Sequence, residues 1–391
     1  MLHPANHIFE HTPATLTAWC DSVRMPKFRA RQVLEWVYEK GVVDPAGMTN
    51  LSKADREALA ARMTFLSGTT LMHQSATDGT QKLLIEWDDS EGVRRATPDD
   101  TPRFDKPIPL PLLGQPNALP GAAGDPTRQS ECVMIPTDDR RTACISSQVG
   151  CPVGCKFCAS GLGGLDANLS AGRIVEQVWR LGQLPDVRRI SNVVFMGMGE
   201  PLSNLGAVIP AIRTITSLWA LGISARKVTV STVGLPKAID RLSEQLDLPV
   251  TLALSLHAPT DELRRQLIPW AEYTTIADLL AACQRWFTKT GREITLEYTL
   301  LRGVNDRPEH ARQLAVLAKT LRANINLIRY NEVAGLPFGR PVGDDVLAFQ
   351  EFLKSQGLNV HIRSSRGRDI AAACGQLRHE TGTKARAAAA R

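Results

Sequence analysis

From residue 131 onward, apolar, β-branched runs recur at 142–146, 190–196, 227–232, 250–256, 294–301, 325–330 and 358–363. Amphipathic stretches separate them, near 171–182, 205–220, 235–245, 260–268, 275–289, 308–322 and 344–356. A strand buried on both faces reads as a continuous apolar run, and apolar residues at helical spacing mark the segment that covers it. Strand followed by helix at this pitch predicts a parallel sheet wrapped by helices, an α/β fold curled into a full or partial barrel. Such folds gather reactive side chains at the C-terminal ends of their strands. The residues just after each run are therefore where chemistry is expected.

Upstream, residues 14–66 read as a small helical unit. Leu16, Trp19 and Cys20 recur at helical spacing, and Val33, Leu34, Trp36 and Val37 share a face beside Arg29 and Arg31. Asn50 or Ser52 stands where a cap is needed for a helix carrying Leu59 and Met63. Residues 69–88 read as two short strands around a turn at Asp78-Gly79. Eight prolines then fall between Pro98 and Pro126. Proline removes an amide donor and blocks helix, so an exposed insertion is expected there. The expected division is an accessory helical unit (1–66), a hairpin with a Pro-rich linker (67–130), a barrel (131–378) and a basic tail (379–391).

A net charge of +6 suits a polyanionic partner without demanding one. Basic residues do collect at RSSRGR, 363–368, and at the C-terminal KARAAAAR. No apolar run approaches the ~20 residues of a membrane span, and MLHPANHIFEHTP lacks the basic start and apolar stretch of a secretory signal. Eight cysteines, three of them clustered, point to ligation chemistry in a reducing cytoplasm rather than to a disulfide scaffold.

Those three, Cys151, Cys155 and Cys158, lie in CPVGCKFC with the spacing C-x-x-x-C-x-x-C. Three thiolates fill three corners of a 4Fe–4S cube and leave one iron open to a ligand that is not protein. Structural zinc also takes clustered cysteines but wants four closed ligands, for which Cys144, seven residues upstream, is a candidate. Phe157, beside the third cysteine, suits a cluster that must be shielded from water.

Further signals follow the other runs. GMGEP, with Gly199 and Glu200, places glycines where backbone must approach a ligand and a carboxylate that can accept from a cationic amine. Ser231 ends the next run, Ser255, Leu256 and His257 end the one after, and Asn331 follows 325–330. Taken singly these read as structural residues or turn formers. In strand order they read as contacts to the ribose, carboxylate and adenine of a nucleoside ligand. Cys20, Cys132 and Cys283 read as inert core thiols.

The stretches FRARQVLEW, ECVMIP, CISSQVGCPVGCKFCASG, GMGEPL, VTVSTVG, SLHAP, GVND and DIAAACGQL, in this order, resemble the adenine-methylating RNA methyltransferases of the radical S-adenosylmethionine (SAM) superfamily, the RlmN/Cfr group. The resemblance covers most of the chain apart from the Pro-rich insertion. It implies a radical SAM partial (βα)6-type barrel with a small N-terminal RNA-binding helical domain and a short β-hairpin region. It implies a 4Fe–4S cluster on Cys151, Cys155 and Cys158, with SAM held by Gly199, Glu200, Ser231, Ser255, Leu256, His257 and Asn331. Two SAM per methylation are implied: one methylates Cys374, and the other is cleaved to a radical that activates the S-methyl group for attack on carbon 2 of an adenosine. Glu131 matches the proton acceptor, and Cys144 matches the residue that releases RNA by a transient disulfide with Cys374. The implied partners are 23S ribosomal RNA, with transfer RNA as a further substrate, and an external electron donor acting on a monomer. Methylation at carbon 8, and a non-catalytic iron–sulfur ribosome assembly factor, are the alternatives.

Overall fold

The computed structural model describes residues 1–92 and 124–377. Most of the Pro-rich stretch and the basic tail expected over 379–391 lie outside the described residues. The N-terminal unit contains helices α1 (Pro13–Ser22), α2 (Arg29–Tyr38) and α3 (Lys53–Arg62). Ser52, not Asn50, caps α3, its hydroxyl accepting from the Asp55 amide at 3.1 Å. Asn50 instead accepts from the Trp36 indole at 2.6 Å and braces α2. Val33, Leu34 and Val37 are buried as their spacing predicts, while Trp36 is half-buried under the Lys40 ammonium.

Strands β1 (Gly68–Ser75) and β2 (Gln81–Trp87) form the expected hairpin, whose turn is fixed by Asp78 accepting from the Thr80 amide at 3.0 Å. The hairpin continues the main sheet, because β2 pairs antiparallel with β3 (Gln129–Pro136) and β3 with β4 (Arg141–Cys144). Two short strands, β5 (Gln148–Gly150) and β6 (Leu165–Asn168), pair with each other on either side of the three-cysteine loop.

Strand and helix then alternate: α4 (Ala171–Gly182), β7 (Asn192–Phe195), α5 (Leu205–Thr216), β8 (Val228–Thr232), α6 (Pro236–Gln245) and β9 (Thr251–Ser255). They are followed by α7 (Asp261–Leu267), α8 (Ile276–Thr290), β10 (Ile294–Leu300), α9 (Pro308–Ala318), β11 (Ala323–Arg329), α10 (Gly343–Ser355) and β12 (Asn359–Arg363). One ten-stranded sheet results, in the order β1-β2-β3-β4-β7-β8-β9-β10-β11-β12, and β4 onward is entirely parallel. Every run read as a strand is one. Six strand–helix units followed by β12 make the partial barrel that the resemblance implies.

The main core lies between sheet and helices, where Val193, Leu252, Leu296 and Leu327 are fully buried. A second apolar cluster, with Val153, Phe157, Ile268 and Leu301, sits above the strand ends, and the three clustered cysteines pack against it. A third joins Val133 and Cys144 to Ile370 and Ala372, so the chain after β12 folds back over the β3–β4 end of the sheet.

Candidate active site

The C-terminal strand ends open into a cleft of about 890 Å³, counting its mouth. Cys151, Cys155 and Cys158 line it from the loop after β5. Their thiols are pushed up by burial, Cys151 to about 12. Among the described residues no three His, Cys, Asp or Glu side chains close around a single metal ion. Nor does Cys144 turn toward the three: it lies beside Met196, Arg363 and Cys374 in an adjoining cavity.

Across the cleft stand Gly199 and Glu200, after β7. Gly199 has φ +102°, and a Cβ there would meet Gln148 at 2.7 Å, so only glycine lets this turn pack on β5. Glu200 is buried, and its carboxylate accepts from the Leu202 and Val233 amides at 2.9 Å each. Burial raises it to about 7 despite those donors, so a cation bound beside it would hold it ionised.

Ser231 on β8 and Ser255 on β9 line the next wall with their hydroxyls 3.2 Å apart. His257, at φ +56°, turns back toward β10, where its Nδ1 accepts from the Thr299 amide at 3.0 Å. Burial lowers it to about 3, so it is a neutral imidazole with its proton on Nε2. Leu256 departs from the expectation: its side chain is fully buried in the main core and lines neither cavity. Successive strand residues face opposite sides, so flanking positions that reach the cleft send Leu256 away from it.

Cys374 lines both cavities, and every cysteine is a free thiol. The disulfide implied for Cys144 and Cys374 is therefore not a bond of this structure. Asn331 lines the second cavity rather than the first and donates to the Cys374 carbonyl at 3.2 Å. Glu131 on β3 lines neither; it is buried with its carboxylate 2.8 Å from the Lys82 ammonium.

Three site residues escaped the sequence reading. Arg363, ending β12, points Nη1 at Cys374 Sγ, 3.8 Å away. Glu297 on β10 lines the cleft; Asn326 donates to its Oε1 at 3.0 Å, whereas Oε2 is buried without a hydrogen-bond partner. Lys82 is the third. The available signal was a charged residue inside an apolar strand run, as in ITLEYTLL and QKLLIEW.

Residues 7–64 match the ribosomal RNA large subunit methyltransferase N-terminal domain, and residues 145–315 match the radical SAM superfamily. A dual-specificity RNA methyltransferase RlmN from Marinobacter nauticus is 40% identical over 93% of this chain and 90% of its own. A probable counterpart from Rhodopirellula baltica is 39% identical over 96% of this chain and 92% of its own. The chain belongs to the RlmN family. It is accordingly a radical SAM RNA methyltransferase, and its superfamily implies a 4Fe–4S cluster and SAM. The crystal structure of a radical SAM methyltransferase from Sphaerobacter thermophilus superposes with a TM-score of 0.83 at 37% identity, covering 96% of this chain and all of that one. No helix among the described residues is long and apolar enough to cross a membrane.

The cleft suits the groups that the RlmN family implies. Three thiols from one loop fill three corners of a cube and leave the fourth free, while Cys374 reaches the same cleft from the chain after β12. The orphaned Glu297 oxygen and the paired serine hydroxyls offer acceptors and donors to a polar nucleoside.

Proposed function

We propose that this enzyme methylates carbon 2 of an adenosine in 23S ribosomal RNA, and of one in transfer RNA, through an S-methylcysteine on Cys374. The observation that carries this reading is the position of Cys374, which borders the three-cysteine cleft on one side and the Cys144 cavity on the other. Cys151, Cys155 and Cys158 would hold the cluster; Gly199, Glu200, Ser231, Ser255, His257, the backbone at Leu256 and Asn331 would frame SAM. Bound there, cluster and SAM supply one-electron cleavage of the sulfonium and hence a carbon radical that takes a hydrogen atom.

The chain's own residues do the rest. Cys374 sulfur, paired with the Arg363 guanidinium, displaces methyl from a first SAM and carries it as a thioether. After that methyl loses a hydrogen atom, its methylene bonds to the electron-poor ring carbon, which ordinary attack on SAM would not reach, and Cys374 is linked to RNA. Glu131 takes the proton leaving carbon 2 as the adduct gives up the electron put in at SAM cleavage. Cys144 sulfur then bonds to Cys374 sulfur and breaks its bond to the methylene. That electron pair leaves with the methylene, which takes up a proton and becomes the methyl group. The two thiols end as a disulfide that an external reductant reopens.

The deciding experiment is nucleoside mass spectrometry of 23S ribosomal RNA and transfer RNA after incubation with anaerobically reconstituted enzyme, SAM and a reductant. Methylation at carbon 2 of adenosine supports the reading, and methylation at carbon 8 replaces it with the alternative regiochemistry. Deoxyadenosine without methyladenosine removes RNA as substrate, and neither product leaves an iron–sulfur RNA-binding protein.

A further inference from the structure

We infer that Lys82 is a positioning residue that sets the distance between Glu131 and the loop carrying Cys374; the inference rests on the roles proposed above for those two residues. Strand register brings the parts together. Val133 on β3 stands opposite Lys82 on β2 and opposite Cys144 on β4, so the three side chains share one face of the sheet. Glu131, two residues before Val133, shares that face as well. Cys132 between them is turned into the main core, which is why it stays out of the chemistry.

On this face the Lys82 ammonium lies 2.8 Å from Glu131 Oε1 and donates to the Ala371 carbonyl at 3.3 Å, three residues before Cys374. Lys82 is 4% exposed and Glu131 3%. Taking an ammonium and a carboxylate out of water is costly, and a well-packed apolar pair of the same volume is commonly at least as stable. Holding the sheet together is therefore a weak reason for the pair; fixing a geometry is a better one. Ala371 itself sits at φ +51°, a left-handed conformation unfavourable for a residue with a Cβ. Such a residue persists where its surroundings dictate it, and the hairpin does so here.

The same loop is held by a second group of contacts that does not involve Glu131. Asp78 accepts from the Gly367 amide at 3.0 Å, and Asp369 accepts from the Thr77 amide at 2.9 Å. Gly367, at φ +65°, lies so close to the hairpin that a Cβ would meet Thr80 at 2.8 Å. These contacts dock the loop on the hairpin turn. Lys82 has a different task, since it touches both the residue that takes the proton and the backbone leading to the residue that carries the methyl group.

The test uses full-length, cluster-loaded enzyme with RNA and compares Lys82→Met, Lys82→Arg and Glu131→Gln. Lys82→Met is expected to keep S-methylation of Cys374 and deoxyadenosine formation within about twofold of the parent, while release of methylated RNA slows at least about tenfold. Covalent protein–RNA adduct should accumulate on denaturing gels as in Glu131→Gln, and Lys82→Arg should recover much of the release rate. Normal release by Lys82→Met beside a stalled Glu131→Gln overturns the inference and leaves the role of Glu131 standing. Normal release by Glu131→Gln overturns that role, and the inference with it. Should Lys82→Met fail to load iron, Lys82→Gln, which keeps a donor for Ala371 without the charge, is read by the same criteria.

Discussion

Arg363 Nη1 lies 3.8 Å from Cys374 Sγ, and the same nitrogen is 3.3 Å from Met196 Sδ. The guanidinium is held among sulfur atoms at the end of β12, and the negative charge of a Cys374 thiolate strengthens its hold on its proton, with Glu297 and Cys144 adding to the effect. A charged donor at this distance holds the sulfur in one position for attack.

Arg363→Met should therefore slow S-methylation of Cys374 by about tenfold or more while leaving iron content unchanged. Arg363→Lys should recover part of the loss, since it restores charge without the planar fork. Peptide mass spectrometry of the Cys374 segment after timed incubation with SAM reads the rate. Equal rates in the parent and Arg363→Met would remove Arg363 from the methyl-loading step.

Cys144 should be less reactive before Cys374 is methylated than after. Burial pushes its thiol up to about 12, and a Cys374 thiolate beside it adds to the rise, whereas Arg363 pulls the other way. Once Cys374 is a neutral thioether, its raising contribution is gone and Arg363 faces Cys144 alone. A group with a raised thiol pKa gains thiolate only as pH climbs, so S-methylated enzyme should alkylate at Cys144 at lower pH than unmethylated enzyme. Iodoacetamide labelling against pH, read at the Cys144 peptide, checks this. Cys144→Ala should in turn leave RNA covalently attached to Cys374, and ordinary turnover by that variant would contradict the release step.

The strands, the helices and the three-cysteine loop were legible because each is a local pattern: an apolar run, a helical repeat or a fixed spacing. What could not be read was the partner of each polar strand residue. Alternation says which face Lys82 or Glu297 occupies, but only register across β2, β3 and β4 puts Lys82 beside Glu131. Asn331 was read toward a nucleobase because it ends a strand, and it also donates to the Cys374 carbonyl. That contact depends on the chain after β12 folding back, which no local pattern encodes. Leu256 was grouped with its neighbours in SLHAP although the same alternation sends it into the core.

Glu297 should separate binding from stability. Its carboxyl is raised by burial, partly offset by Arg363 and by the Asn326 donor, and its Oε2 has no hydrogen-bond partner. A buried, incompletely satisfied carboxylate contributes little to folding, so Glu297→Gln should leave Tm within a few degrees of the parent or raise it. SAM affinity should fall by about tenfold if the orphaned oxygen accepts from the nucleoside. Calorimetric titration of SAM alongside thermal unfolding gives both numbers, and a drop in Tm without a change in affinity would make Glu297 a structural residue.

The N-terminal unit is tied to the barrel through a charge that acid should remove. Glu176 on α4 is fully buried; it lies 2.7 Å from the Arg180 guanidinium and 3.1 Å from the His7 imidazole, and it accepts from the Ser67 amide at 2.8 Å. Burial alone would raise its carboxyl, but Arg180, His7 and the Ser67 amide together lower it to about 2 from 4.5. A depressed carboxyl favours the folded state while ionised, so its contribution is complete above about pH 5 and is lost as pH falls from 4.5 toward 2. That shift corresponds to about 3 kcal/mol. Glu176→Gln should lower stability by a similar amount at pH 7, because Arg180 is left buried without its counter-charge, and the gap from the parent should narrow as pH falls through that window. Urea unfolding at pH 7, 5 and 3 measures it. A gap that stays constant across the three would mean that Glu176 holds the unit by shape alone.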